Sequence, residues 1–203
     1  MSSFKEQLKS KLAMYQHQYK GLFHVTSIIN LKEILKVGKL ISRSDLKNTF
    51  SDLSNISIIS NTNKHIKNKV RMYFNENSPA LYRFKEKSDR LVYLIFEYDL
   101  IDSYNCYISD GNCASKSTIY TDDLEVAARY DWKTILSTGP IFENIRETVR
   151  MRNAELLIEG PVYIFQHLKY IVFNSIDDLE LIRKMYPKYK DKMIVDMNLF
   201  KIW

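Results

Sequence analysis

Phe4, Leu8, Leu12 and Tyr15 recur at three- and four-residue steps with lysines between them, so residues 4 to 20 are expected to form an amphipathic helix. Packing of the apolar stripe on the protein body is the plainer use of such a helix; its basic face against a membrane or a nucleic acid is the alternative. GLFHVT is short, apolar and β-branched, as a strand is, and a helix over roughly 28 to 37 follows it. Asn30 with Glu33 suits a capping box there, and Gly38 supplies a left-handed stop. From Ser42 to Asn68 the chain is polar, rich in Asn and Ser, and weakly periodic. That stretch is read as a long loop with some local helix, a type of segment that often binds ligands.

Downstream, VRMYF and VYLIFEY have strand character, with helix or turn in ALYRFKEKSDR between them. CYISDG ends another extended piece, and Thr121 with Asp122 and Asp123 opens a short helix through Arg129. FENIRETVRMRN is expected to be helical, AELLIEGPVYIF a hairpin-like pair around Gly160 and Pro161, and KYIVFN a buried strand. Ser175 with Asp178 caps a last helix to Tyr186, before a β-like tail containing MIVDM. Short strands and helices alternate irregularly, which fits an α+β fold better than a doubly wound sheet. No repeat or linker divides the chain, so residues 1–203 are expected to form a single domain led by an N-terminal helix (1–20).

Composition narrows the chemistry. The 203 residues contain only five glycines, no two within fifteen positions of each other, which excludes G-x-G-x-x-G and G-x-x-x-x-G-K-[ST] loops. With 45% apolar residues, disorder is a poor description. Thirty Lys and Arg against 24 acidic residues leave a net charge of +6, which favours a polyanionic partner. Cys106 and Cys113 have no nearby histidine, and two sparse cysteines suit a reducing compartment. The charged N-terminus does not resemble a signal peptide, and no apolar run would span a bilayer, so no membrane partner and a cytoplasmic location are expected.

Four scattered histidines and the lack of H-E-x-x-H give no reason to expect a metal, and there is no G-x-S-x-G elbow. His24, the Tyr73-Phe74 pair, the turn Asp110-Gly111-Asn112 and Glu155 remain as candidates. Taken singly, each has a structural explanation: a half-buried histidine, core aromatics, a turn. Glu155 and Glu159, four apart on a strand, would share one solvated face. Their order and context say more.

FHVTSIINLKEILKVGKL resembles the opening of the DarT family, bacterial ADP-ribosyltransferase toxins acting on nucleobases of single-stranded DNA. His24, Thr26, Asn30, Leu31, Ile34, Leu35, Gly38 and Leu40 fill that family's H-[IV]-T strand and following helix. HIKNKVRMYFNENSPALY is similar to a second family block through His65, Val70, Tyr73, Phe74, Ser78, Pro79, Leu81 and Tyr82. SDGNCAS is similar to a T-D-G-N-A turn through Asp110, Gly111 and Asn112, and RNAELLIEGPV to a strand whose glutamate, here Glu155, is catalytic. YDWKTIL stands where the family often has an L-D-W segment. The blocks occur in order over about residues 21 to 173.

The resemblance implies an ADP-ribosyltransferase fold, with a split pair of small β-sheets around an NAD cleft and flanking helices. It implies a triad of His24, Tyr73 and Glu155, with His24 donating a hydrogen bond to a ribose hydroxyl and Tyr73 stacking on nicotinamide. Thr26, Asn30 and Tyr82 join them as expected contacts to NAD, the co-substrate. One feature departs from the pattern: residues 53 to 64 hold no arginine, although the family often uses one near that loop. Arg71, at a site where the family commonly has proline, and Arg43 are the substitutes, either one a source of positive charge toward the NAD pyrophosphate or the target; Arg71 is counted with Glu155 as catalytic. Arg43, Lys64, Lys69 and Asn112 are the expected nucleic-acid contacts, with the 42–69 loop as one wall of a groove. The expected activity is transfer of ADP-ribose to a base of single-stranded nucleic acid, DNA before RNA, with a macrodomain-type antitoxin as partner. A non-catalytic strand-binding module and modification of a protein side chain are the alternatives.

Overall fold

The structure is a computed structural model that describes residues 4–15, 18–46, 64–78, 80–81 and 90–201. Its centre is an eight-stranded sheet in the order β10-β9-β4-β1-β3-β7-β5-β6. These strands are β1 (Leu22–Ser27), β3 (Lys69–Tyr73), β4 (Leu91–Phe96), β5 (Cys106–Ser109), β6 (Tyr120–Thr121), β7 (Glu155–Glu159), β9 (Leu168–Phe173) and β10 (Met193–Val195). All neighbours are antiparallel except β9 and β10. A separate two-stranded pair joins β2 (Lys39–Leu40) to β8 (Val162–Tyr163). Four helices of eight residues or more are described: α1 (Phe4–Tyr15), α2 (Ile28–Val37), α3 (Ile145–Arg152) and α4 (Ile176–Met185).

The strand alternation sorts side chains onto two faces. Leu22, Val70, Met72, Leu94, Leu156 and Ile171 point to the face covered by α1, α2 and α4 through Leu8, Leu12, Leu31, Leu35 and Ile182. The other face carries two smaller apolar clusters. Phe23, Val25, Tyr93, Ile95 and Val172 form one, and Ile66, Cys113 and Leu157 form the other.

The expected split between two small sheets takes the form of a weak junction inside one continuous sheet. β1 pairs with β4 over six consecutive residues, whereas β1 and β3 share only Phe23↔Tyr73. Helix α2 begins at Ile28, two residues before the expected capping box, because the chain passes directly from β1 into the helix. Ser27 is the cap, its Oγ accepting from Asn30 N at 3.3 Å, and the helix stops at Gly38 with φ +77° as expected. The expected hairpin at Gly160-Pro161 does not form. Both edges of β7 are already occupied by β3 and β5, so after the turn β8 pairs with β2. Helix α1 is described to Tyr15, short of the expected residue 20.

Candidate active site

β7 begins at Glu155 between two strands, with Tyr73 of β3 directly opposite and the end of β5 on its other side. Leu156 and Ile158 of ELLIE face the helices. Glu155, Leu157 and Glu159 face the other way, and their positions along the strand separate them chemically. Glu159, at the far end, is exposed and binds Lys69 Nζ at 2.6 Å. Glu155 lies under the turn that follows β5 and has no exposure at all. The expectation of one solvated face for both glutamates therefore fails at Glu155.

A buried carboxylate must be paired and hydrogen-bonded, and this one is. Arg71, diagonally across on β3, donates from Nε to Oε2 at 2.5 Å and from Nη2 to Oε1 at 2.8 Å, a two-pronged pair. Cys113 N adds a third bond to Oε1 at 3.0 Å. Burial alone would lower the Arg71 pKa, but the Glu155 charge outweighs it and holds the guanidinium well above its ordinary value. The Arg71 side chain keeps 31% of its exposure, and its Nη1 makes no hydrogen bond among the described residues. Burial, then the Glu155 charge, pushes the Cys113 thiol up, so it stays protonated beside the carboxylate.

His24 occupies the weak junction. Its Nδ1 lies 3.1 Å from Arg71 O, a carbonyl that a second β1–β3 pair would otherwise have used. Desolvation pulls its pKa below 6.5, outweighing the raising effect of that bond. The neutral ring must carry its proton on Nδ1 to meet a carbonyl, which leaves Nε2 as an acceptor. His24 thus meets the backbone of Arg71, whose side chain pairs with Glu155, and Tyr73 is half-buried and cross-strand from both Phe23 and Glu155.

Other expected residues sort differently. Thr26 and Asn30 bind each other, Asn30 Nδ2 to Thr26 Oγ1 at 3.2 Å, further along β1. Phe74 is a core residue, edge-on to the buried Trp132 at 5.0 Å. Asn112 closes the turn beside Glu155. Lys69 is engaged by Glu159 and lies 4.7 Å from the Tyr107 ring. Arg43 opens a 3-10 turn (Arg43–Asp45), and a short helix (Lys64–Lys67) holds the backbone of Lys64. Tyr82, Pro79, the side chains of Lys64 and His65, and most of the proposed groove wall lie outside the described residues.

Sequence reading missed the supports of the site. Ser109 Oγ accepts from Glu155 N at 2.8 Å, and Arg150 grips Asp110 with two bonds of 2.9 and 3.0 Å. A serine directly before Asp-Gly-Asn was the available signal for the first; nothing in the spacing pointed to the second. Beside this turn lies a hollow of about 450 Å³ lined by Asn112, Ser115, Ser117, Arg146, Arg150 and Asn153, among others. Among the described residues no cluster of three His, Cys, Asp or Glu could hold a metal ion.

The family model described as "ssDNA thymidine ADP-ribosyltransferase, DarT" matches residues 23–198. The chain belongs to the DarT family. None of the curated proteins compared with it matches in sequence. Among solved structures, it is similar to Thermus sp. 2.9 DarT in complex with ADP-ribosylated ssDNA, with TM-score 0.75 and 17% identity over 92% of this chain and 98% of that one. It is also similar to the same Thermus protein with NAD+, with TM-score 0.72 and 17% identity over 92% and 100% of the two chains. Thermosipho africanus DarTG in complex with ADP-ribose gives TM-score 0.75 and 18% identity over 89% of this chain but 50% of that one. The match runs from Phe23 in β1 to Asn198 just beyond β10, so the Arg71–Glu155 pair and His24 all fall within it.

Proposed function

We propose that this DarT-family chain moves ADP-ribose from NAD to thymidine in single-stranded DNA, with Glu155 as the catalytic carboxylate. The observation that carries the proposal is the buried, three-donor Glu155 carboxylate, with Tyr73 opposite it on β3 and His24 against the Arg71 carbonyl at the weak junction of the sheet. Two groups without a hydrogen-bond partner among the described residues suit NAD: Arg71 Nη1 offers a donor to an anion such as the pyrophosphate, and His24 Nε2 offers an acceptor. His24 therefore accepts a hydrogen bond from a ribose hydroxyl; a neutral ring committed through Nδ1 does not donate one.

In the reaction the bond from ribose C1′ to the nicotinamide nitrogen breaks, and its electron pair leaves with neutral nicotinamide. The cationic C1′ is stabilised by negative charge placed close by, which Glu155 supplies. A thymine already bonded to deoxyribose through N1 has one ring N–H, at N3. Its attack forms the C1′–N3 bond and releases the N3 proton, which a carboxylate at that position can accept. Arg71 keeps Glu155 oriented before NAD arrives.

Strand contacts fall to cations near the site, because base stacking and phosphate pairing bind single strands together. Arg146 at the hollow, with Phe142 four residues before it in the chain and 85% exposed, suits that role better than Lys69, which Glu159 already engages. A macrodomain-type hydrolase that removes ADP-ribose is the proposed antitoxin, and its co-expression should relieve toxicity. No helix among the described residues is long and apolar enough to cross a membrane, in keeping with action on DNA in the cytoplasm.

The test is incubation with NAD and matched DNA or RNA oligonucleotides, followed by digestion to nucleosides and mass analysis. ADP-ribose on thymidine from DNA is the expected product. A mass gain confined to RNA, or to protein, or no gain at all, overturns the proposal.

A further inference from the structure

We infer that Ser109 is a positioning residue for the transfer, holding the Glu155 backbone and setting the turn whose amide holds the Glu155 carboxylate. This rests on reading Glu155 as the catalytic group. The β5–β7 ladder runs from Cys106↔Ile158 to Ile108↔Leu156 and stops one residue short of Glu155. There a side chain takes over from the backbone. Glu155 N donates to Ser109 Oγ at 2.8 Å, and the hydroxyl proton goes to Gly111 O at 2.7 Å, with Glu155 O a more distant acceptor at 3.3 Å.

Substituting a side chain for the ladder has a geometric consequence. The backbone after Ser109 is released from β7 and turns at once through Asp110 and Gly111, which brings Cys113 N to Glu155 Oε1 at 3.0 Å. The outside of the turn is clamped as well. Arg150 holds the Asp110 carboxylate, and Arg150 O accepts from Asn112 N at 2.9 Å. A Cβ on Gly111 would come within 2.9 Å of that same carbonyl, so the turn has no slack on this side. Ser109 is the inner clamp and is fully buried. Without its hydroxyl, Glu155 N and Gly111 O lose their partners in a place water does not reach, and the turn must shift to recover them. That shift moves the Cys113 amide away from the carboxylate. The groups offered to NAD, His24 and Arg71, stand on β1 and β3 and stay in place.

The test compares wild type, Ser109→Ala, Ser109→Thr and Glu155→Gln for kcat and for KM of NAD at saturating DNA oligonucleotide, with circular dichroism as the check on folding. Ser109→Ala is expected to lower kcat at least tenfold with KM changed less than twofold, and Ser109→Thr, which keeps the hydroxyl, to return kcat to within threefold of wild type. Should Ser109→Ala not fold, the near-isosteric Ser109→Cys, a poor hydrogen-bonding substitute, carries the same expectation. Wild-type kcat in a folded Ser109→Ala or Ser109→Cys, or failure of Ser109→Thr to restore the rate, overturns the inference. Glu155→Gln separates the two layers: if it is inactive while Ser109→Ala is fully active, only the Ser109 role falls. If Glu155→Gln keeps the wild-type rate, the reading of Glu155 itself is wrong.

Discussion

The two halves of the sheet solve opposite problems. In β4, LVYLIF is buried at every position; β9 opposes it with Leu168, Tyr170, Ile171, Val172 and Phe173, and β1 with Leu22, Phe23 and Val25 alternating with the polar His24 and Thr26. In β3 and β7 one face is equally apolar, but the other holds Arg71 and Glu155, with Ser109 of β5 beside them. The first half gains stability from area removed from water, about 25 cal/mol per Å². The second half spends apolar surface on a charge pair whose desolvation roughly cancels its attraction. The lesson is a division of labour: β4 and β9, with the apolar positions of β1, stabilise the fold, and so let the β3–β7–β5 block, with His24 of β1 at its margin, carry groups that contribute chemistry instead of stability.

The sharpest way to break that comparison is Glu155→Gln, which should cut nucleobase modification about a thousandfold or more while the fold persists, read by single-turnover product formation. Equal loss of folded protein would show that the pair is structural. Ile171→Ala, in the scaffold half on β9, should cost about 2–5 kcal/mol in denaturant unfolding and leave kcat per folded molecule unchanged. Arg71→Met comes next, lowering kcat about a hundredfold and destabilising by a few kcal/mol through the unpaired Glu155. The double variant with Glu155→Gln should be less destabilised than the two single losses added together, as a thermodynamic cycle would reveal.

The smallest expected effect is that of pH. The folded state lowers the His24 pKa, so the unfolded chain binds the proton first. Stability should be constant above about pH 6.5 and fall as pH drops from there to the folded value, then level off. His24→Gln should flatten that decline. A decline that persists unchanged in this variant would assign it to other groups.

Much of the fold was legible. Helix α2 and its Gly38 stop, the strands VRMYF and VYLIFEY, and the helix after Ser175 follow from periodicity and capping, which are local properties. The β8 partner was not legible, because it depends on β7 having no free edge. Glu155 was found by resemblance in order and spacing, and Arg71 only as a substitute for an arginine the pattern lacked; their contact was not visible, since 84 positions of chain separate them. Arg150 was read only as part of a helix; its grip on Asp110 spans 40 positions.

By itself, then, the sequence determined the element types, the absence of glycine-loop nucleotide binding, and the candidate residues His24, Tyr73 and Glu155. Each of those depends on neighbours within a few residues or on an ordered pattern of motifs. Only the tertiary structure decided that Glu155 is buried while Glu159 is not, that Arg71 is its partner, that His24 offers an acceptor, and that Ser109 ends the ladder beside the carboxylate. Burial, protonation state and hydrogen-bond direction are set by what other strands bring alongside, and that is a property of the packed sheet.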